Sequence, residues 1–169
     1  MSDLVVRQLV AADAAAFRDI RLAGLRLNPE AFGSTYDSEA GKSVAEFEGS
    51  IGRNFIAGAF LDNALVGVAG FYGLQGPKVS HRGNIWGVFV RPAARGQGVG
   101  RRLLDLVLGH ARRQVQQVHL SVVTTNAAAI ALYQRLGFII YGTEPRALLA
   151  GGIAHDEHMM VCMLDEAAA

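Results

Sequence analysis

Two kinds of apolar spacing alternate along this chain, one suited to strands and one to helices. Leu4 to Leu9 is a short apolar run and reads as a first strand. After it, Phe17, Ile20, Leu22 and Leu25 supply the apolar contacts of a helix that Asp13 would cap and Asn28-Pro29 would end, near Leu27. Glu30 to Lys42 is polar and dotted with aromatics, which predicts irregular or partly helical chain. Ser43 with Glu46 three residues on is a capping box and opens another helix. Phe55 to Leu61 and Ala64 to Tyr72 flank Asp62-Asn63, a two-residue hairpin signal. Leu74 to Lys78, with Gly76-Pro77, is a loop. Further strands are predicted at Asn84 to Val90, Gln117 to Val123, Phe138 to Tyr141 and His158 to Leu164, and helices at Val99 to Arg113 and Ala127 to Leu136.

This order predicts an α/β chain with one mixed sheet and helices on its faces. A length of 169 residues fits one domain, residues 1–169, and 51% hydrophobic residues suffice for a sizeable core. Sixteen basic residues against fifteen acidic ones leave no electrostatic footprint for nucleic acid or a membrane surface. No apolar run is long enough to span a bilayer, and the first residues lack the shape of a signal peptide. The single cysteine, Cys162, excludes an internal disulfide and fits a reducing compartment, so the expected location is cytoplasmic. Ala167 to Ala169 reads as a frayed end.

The candidate chemistry concentrates in Arg95-Gly96-Gln97-Gly98-Val99-Gly100. This run follows the apolar strand Ile85 to Val90 and opens an amphipathic helix. Its glycines leave backbone N–H groups uncovered, and the helix N-terminus adds unpaired donors and the positive end of a dipole. Such an arrangement suits a phosphate or pyrophosphate. A P-loop is excluded because Arg101 and Arg102 stand where lysine and a hydroxyl residue belong. A dinucleotide fingerprint is excluded because its third glycine would fall on Arg101, and the next strand carries no acid to hold a ribose.

Downstream lies Asn126-Ala-Ala-Ala-Ile-Ala-Leu-Tyr133-Gln-Arg-Leu-Gly137-Phe138. Asn126 sits where an N-cap belongs, and Tyr133, about 700° further round the helix, shares its face. With Arg95-x-x-Gly98-x-Gly100 upstream, the chain resembles the GNAT family of acyl-CoA-dependent N-acyltransferases, from about residue 3 to 164. The resemblance implies a mostly antiparallel sheet of six or seven strands whose middle strands splay apart. It implies acetyl-CoA as co-substrate and no metal. The pantetheine arm would pair with the backbones of Val88 and Val90. The amides of Gln97, Gly98, Val99, Gly100 and Arg101 would take the pyrophosphate, with Gly96 shaping the turn and Arg95 or Arg101 adding a side chain. Asn126 and Tyr133 would contact the cofactor, and Tyr133 would give a proton to the departing thiolate.

The implied reaction is direct attack of a primary amine on the thioester through a tetrahedral intermediate, with the Val88 amide as oxyanion donor. A lysine-like amine of pKa about 10.4 is only about 0.04% neutral at pH 7, a deficit of roughly 4.6 kcal/mol, whereas an α-amine near 7.7–8.0 lacks only about one unit. Relatives place a glutamate on the strand before the loop, but Ser80 to Val90 contains no acid. Glu39 and Glu157 are the leading substitutes, ahead of His81 and Asp156. His155 and His158 stand at odd separation on a strand and point to opposite faces, which disfavours a metal. Cys162, in an apolar strand, reads as core. A small-molecule amine is the favoured acceptor. A protein N-terminus and a non-catalytic acyl-CoA sensor are the alternatives. Dimers are common among relatives, but the sequence carries no signature of one.

Overall fold

In the computed structural model, which describes residues 3–164, the apolar runs become seven strands of one sheet. Ala167–Ala169 lie outside the described residues. The strands are β1 (Leu4–Gln8), β2 (Phe55–Leu61), β3 (Ala64–Gly73), β4 (Arg82–Val90), β5 (Gln117–Val123), β6 (Ile139–Ala150) and β7 (Ile153–Met163). Their order is β1-β2-β3-β4-β5-β7-β6. Every neighbouring pair is antiparallel except β4 and β5, which are parallel. Asp62 and Asn63 both take positive φ, the conformation that a two-residue hairpin of matching twist requires.

Helices α1 (Ala14–Leu27), α2 (Tyr36–Ala40) and α3 (Val44–Arg53) precede β2, while α4 (Val99–Ala111) and α5 (Ala127–Arg135) flank β5. Each face of the sheet has its own core. Phe17, Ile20 and Leu25 of α1 pack with Phe47 and Ile51 of α3 against Ile56, Val68 and Phe89. On the other face Leu103, Leu104, Val107 and Leu108 of α4 are fully buried against Ala57, Ala69 and Val118, with Phe138 and Met160 beside them. Removing one such leucine side chain typically costs about 2–5 kcal/mol.

Three segments add detail to the sequence reading, and one of them differs from it in length. Asp13 does not cap α1 with its side chain. Its carboxylate accepts from the Val10 amide at 2.8 Å and pairs with Arg7 at 2.7 Å, so it anchors the 3₁₀ turn Ala11–Asp13 ahead of the helix. Thr35 caps α2, accepting from the Ser38 amide at 3.1 Å, so Glu30 to Lys42 is partly helical, in line with the sequence. The last hairpin is much longer than its apolar residues suggest. Gly151 and Gly152, both at positive φ, turn β6 directly into β7, and main-chain pairing carries both strands through polar sequence.

Candidate active site

The parallel ladder between β4 and β5 is short. It pairs Arg82, Gly83 and Asn84 with Gln117, Val118 and His119, and then ends. Beyond that point the strands part around a cavity of about 700 Å³, lined by Ile85 to Val90 on one side and Leu120 to Val123 on the other. Edges without a strand partner carry backbone donors and acceptors that an extended ligand can use.

One end of the gap is closed by the glycine loop and the start of α4. Arg95, Gly96, Gly98, Val99, Gly100 and Arg101 line it. Gly96 and Gly98 have φ of 75° and 77°, with open space where a Cβ would stand, so conformation and not crowding requires glycine there. The first bond of α4 runs from the Arg102 amide to the Gly98 carbonyl at 3.1 Å, which leaves the amides of Val99, Gly100 and Arg101 without a carbonyl one turn back. Gln97 turns its side chain back onto the Ala93 carbonyl at 3.1 Å and is the one residue of Arg95 to Arg101 that does not line the cavity.

The two arginines read as phosphate contacts are engaged elsewhere. Arg95 donates to the Val90 carbonyl at 2.9 Å and to Asn28 at 3.2 Å, bracing the loop against β4 and the end of α1. That bond also occupies the Val90 carbonyl expected to face a pantetheine arm. Arg101 donates to Asp105 one turn along its own helix at 3.1 Å.

Across the gap, Asn126 caps α5 by accepting from the Ala129 amide at 3.2 Å, and it lines the cavity. Tyr133 lines it too and is 7% exposed. Burial pushes its phenol up to about 12. Gly137, at φ 97°, ends the helix.

The two carboxylates read as bases are in different states. Glu39 does not line the gap; it sits in a second cavity of about 350 Å³ among α1, α2, α3 and Trp86. Arg21 holds both its oxygens, at 2.9 and 3.0 Å. Burial pushes the Glu39 carboxyl up, but the Arg21 bonds and charge, with help from Ser34 and Lys42, carry it below the usual carboxylate range. A carboxylate so held is a poor proton acceptor, which corrects the reading of Glu39 as a base. Glu157 stands beside the gap, opposite Val123 on β5 and Glu144 on β6. Burial and then the Glu144 charge raise its carboxyl.

Among the described residues no three histidine, cysteine, aspartate or glutamate side chains converge as a metal site. His158 meets the Thr143 hydroxyl at 2.8 Å, and Cys162 is buried in the core. No helix of the described residues is long and apolar enough to cross a membrane.

Sequence reasoning passed over a bulge and an arginine. Between Val68↔Phe89 and Gly70↔Trp86, β3 advances through Ala69 alone while β4 advances through Gly87 and Val88. Gly87, at φ 63°, takes up the extra residue. A bulge leaves part of the backbone out of the ladder, and here it falls at Gly87 and Val88 on the wall of the gap. A glycine inside an apolar strand was the available signal. Arg21 sits among the buried positions Phe17, Ile20, Gly24 and Leu25 of α1. A charge on a helical apolar stripe was a signal too, though nothing in the spacing points to Glu39 as its partner.

A family model described as the acetyltransferase (GNAT) family matches residues 22–138. N-alpha-acetyltransferase RimI of Mycobacterium tuberculosis is 39% identical over 100 residues, which cover 59% of this chain and 61% of that protein. The chain spans between 29% and 61% of the length of the first curated relatives it matches. An acetyltransferase of the GNAT family from Streptococcus pneumoniae superposes with a TM-score of 0.86 at 23% identity, over 96% of this chain and 99% of that one. The structure of yncA from Salmonella typhimurium with its cofactor acetyl-CoA superposes with a TM-score of 0.82 at 25% identity, over 99% and 98%. With the family model covering most of its length and its glycine turn and tyrosine helix facing one gap, the chain belongs to the acetyltransferase (GNAT) family.

Proposed function

We propose that this protein transfers the acetyl group of acetyl-CoA to the primary amine of a small molecule. The observation that carries the reading is the gap between β4 and β5, which joins a phosphate-compatible helix start to a buried phenol within one cavity. The cofactor's fit rests on that gap: it is long, bordered by free strand edges, and ends at uncovered amides of Gly98 to Arg101. Acetyl-CoA supplies an activated acetyl group as a thioester.

This chain's residues divide the remaining work. The amides of Gly98, Val99, Gly100 and Arg101 hold the pyrophosphate, Gly96 gives the turn its shape, and Gln97, which lies off the cavity wall, drops out of the set. The backbone of Val88, and the part of Val90 that Arg95 leaves free, hold the arm, while Asn126 orders the start of α5 beside it. The Val88 amide also serves the oxyanion; losing a donor of this kind typically costs about 2.7–4 kcal/mol. Glu157, raised by burial and by Glu144, accepts the amine proton at a pH nearer neutrality than an ordinary carboxylate would. Tyr133 stays protonated at working pH, since its phenol lies near 12. The leaving thiol, with a pKa of about 8.5 for a comparable cysteine, is the stronger acid. Tyr133 therefore acts chiefly as a hydrogen-bond donor to the sulfur and gives up its proton only in part.

The test is release of coenzyme A thiol across a panel of amines, amino acids, polyamines, aminoglycosides and peptide N-termini. Release above the hydrolysis blank with a small amine, and its loss in the Glu157→Gln variant, is the expected result. Bound acetyl-CoA with no release from any amine would overturn the reading in favour of a sensor.

A further inference from the structure

The Arg21 side chain is only 10% exposed, and its guanidinium lies 5.1 Å from the Phe32 ring and 5.6 Å from the Trp86 ring. Glu39 takes two of its nitrogens, Nε and Nη2. The third, Nη1, is left over by that carboxylate. It stands 3.3 Å from the point where a Cβ on Gly87 would be. Gly87 is the bulge residue of β4; it lines the gap and immediately precedes Val88. A cationic nitrogen is thus held against the wall of the gap at the strand's one irregularity.

The charge around Arg21 is not cancelled. Arg21, Lys42 and Arg53 share the second cavity with only two carboxylates, Glu39 and Glu46. Glu46 is committed to the Ser43 amide at 2.7 Å. A desolvated guanidinium nitrogen with a net positive surround favours an anionic oxygen over a neutral carbonyl, because charge-assisted bonds are about twice as strong. On the far side of the gap, the Glu144 and Glu157 carboxylates face each other across β6 and β7. Like charges directly opposite destabilise a sheet unless a cation lies with them.

Building on the acetyltransferase reading, we infer that the acceptor carries a carboxylate beside its amine. Arg21 Nη1 takes the carboxylate and Glu157 the ammonium, the two groups that an α-amino acid carries. Arg21 is a specificity-determining residue, and Glu39 is the positioning residue that aims it. Gly87, which lines the gap and carries no side chain, leaves the wall thin where Nη1 lies against it.

The experiment compares matched triplets, each an α-amino acid, its primary amide and its decarboxylated amine, with several side chains, in the wild type, in Arg21→Lys and in the double variant Arg21→Met/Glu39→Gln. The double variant leaves no unpaired buried charge, and melting and acetyl-CoA binding report that it folds. The wild type is expected to prefer the acid at least tenfold in kcat/KM, expressed mainly in KM. Arg21→Lys should narrow the preference and the double variant abolish it. Equal rates across the triplets, or a preference that survives in the double variant, would overturn the inference and leave the acetyltransferase reading standing. A preference for the amide would overturn it in favour of a peptide N-terminus. No release from any amine would overturn both.

Discussion

The indole of Trp86 lies on Gly70, its partner across β3 and β4, so closely that a Cβ at position 70 would stand 2.5 Å from Cε2. Trp86 lines both cavities and flanks Arg21, so this contact sets the floor of the proposed acceptor site. Gly70→Ala must displace the ring. A loss of about 1–3 kcal/mol in denaturant unfolding is expected, with a raised KM for the amine. Adding Trp86→Leu should recover the stability but not the KM. Wild-type stability in Gly70→Ala would refute the packing.

Gly98 takes left-handed φ in open space. Gly98→Ala therefore carries backbone strain of about 1–2 kcal/mol without a clash. The strain falls on the loop that presents the α4 amides, so acetyl-CoA binding by calorimetry should weaken more than the melting temperature falls. Unchanged affinity would remove the loop from the cofactor site.

Tyr133→Phe keeps the ring that packs on Phe138 at 5.9 Å and removes only the hydroxyl. A fall of about tenfold or more in kcat is expected, with little change in acetyl-CoA affinity. A phenol near 12 stays protonated across the usual assay range, so Tyr133 should add no limb to the pH–rate profile there. An unchanged kcat would leave Tyr133 as packing alone.

Glu157 must be ionised to accept a proton, and its carboxyl is raised by burial and by Glu144. The acid limb of kcat/KM should accordingly lie above the ordinary carboxylate value of 4.5. Glu144→Gln removes the lesser of the two causes and should move that limb down. Glu157→Gln should abolish it along with most of the activity. A limb unmoved by either change would assign the proton elsewhere.

Stability should respond to acid through Glu39. Its folded carboxyl lies below the ordinary 4.5, because Arg21 outweighs the opposing effect of burial. The pair therefore stabilises the fold fully above about pH 4.5, and that contribution disappears as pH falls through the lowered value. Arg21→Met alone strands a buried carboxylate and should cost about 3–5 kcal/mol at neutral pH, with the loss easing as acid protonates Glu39. Arg21→Met/Glu39→Gln should cost less. Equal losses for the two variants, measured by urea unfolding, would contradict the pairing.

Local patterns that report on neighbours in sequence were legible. Asp62-Asn63 turned the hairpin, Ser43 and Glu46 closed their capping box, and Asn126 capped α5. The glycine turn was legible because Gly96 and Gly98 are needed for backbone conformation, which is a property of single residues. The length of β6 and β7 was not, since ladder bonds carry polar residues such as Thr143 and Glu144 as readily as apolar ones. Asp13 does stand at the N-cap position of α1, but its side chain makes no capping bond, because the carboxylate is taken by Arg7 and the Val10 amide.

By itself the sequence determined the order of strands and helices, where the phosphate-compatible turn lies, and which family motifs the chain carries, because each depends on residues a few positions apart. Only the tertiary structure decided what each charge does. Glu39 meets Arg21 from eighteen positions away and is held ionised; Glu157 is pushed towards neutrality by burial and then by Glu144 across a hairpin. A carboxyl group's proton affinity is set by the charges and solvent around it, and those neighbours come together only when the sheet has formed and parted at Asn84 and His119.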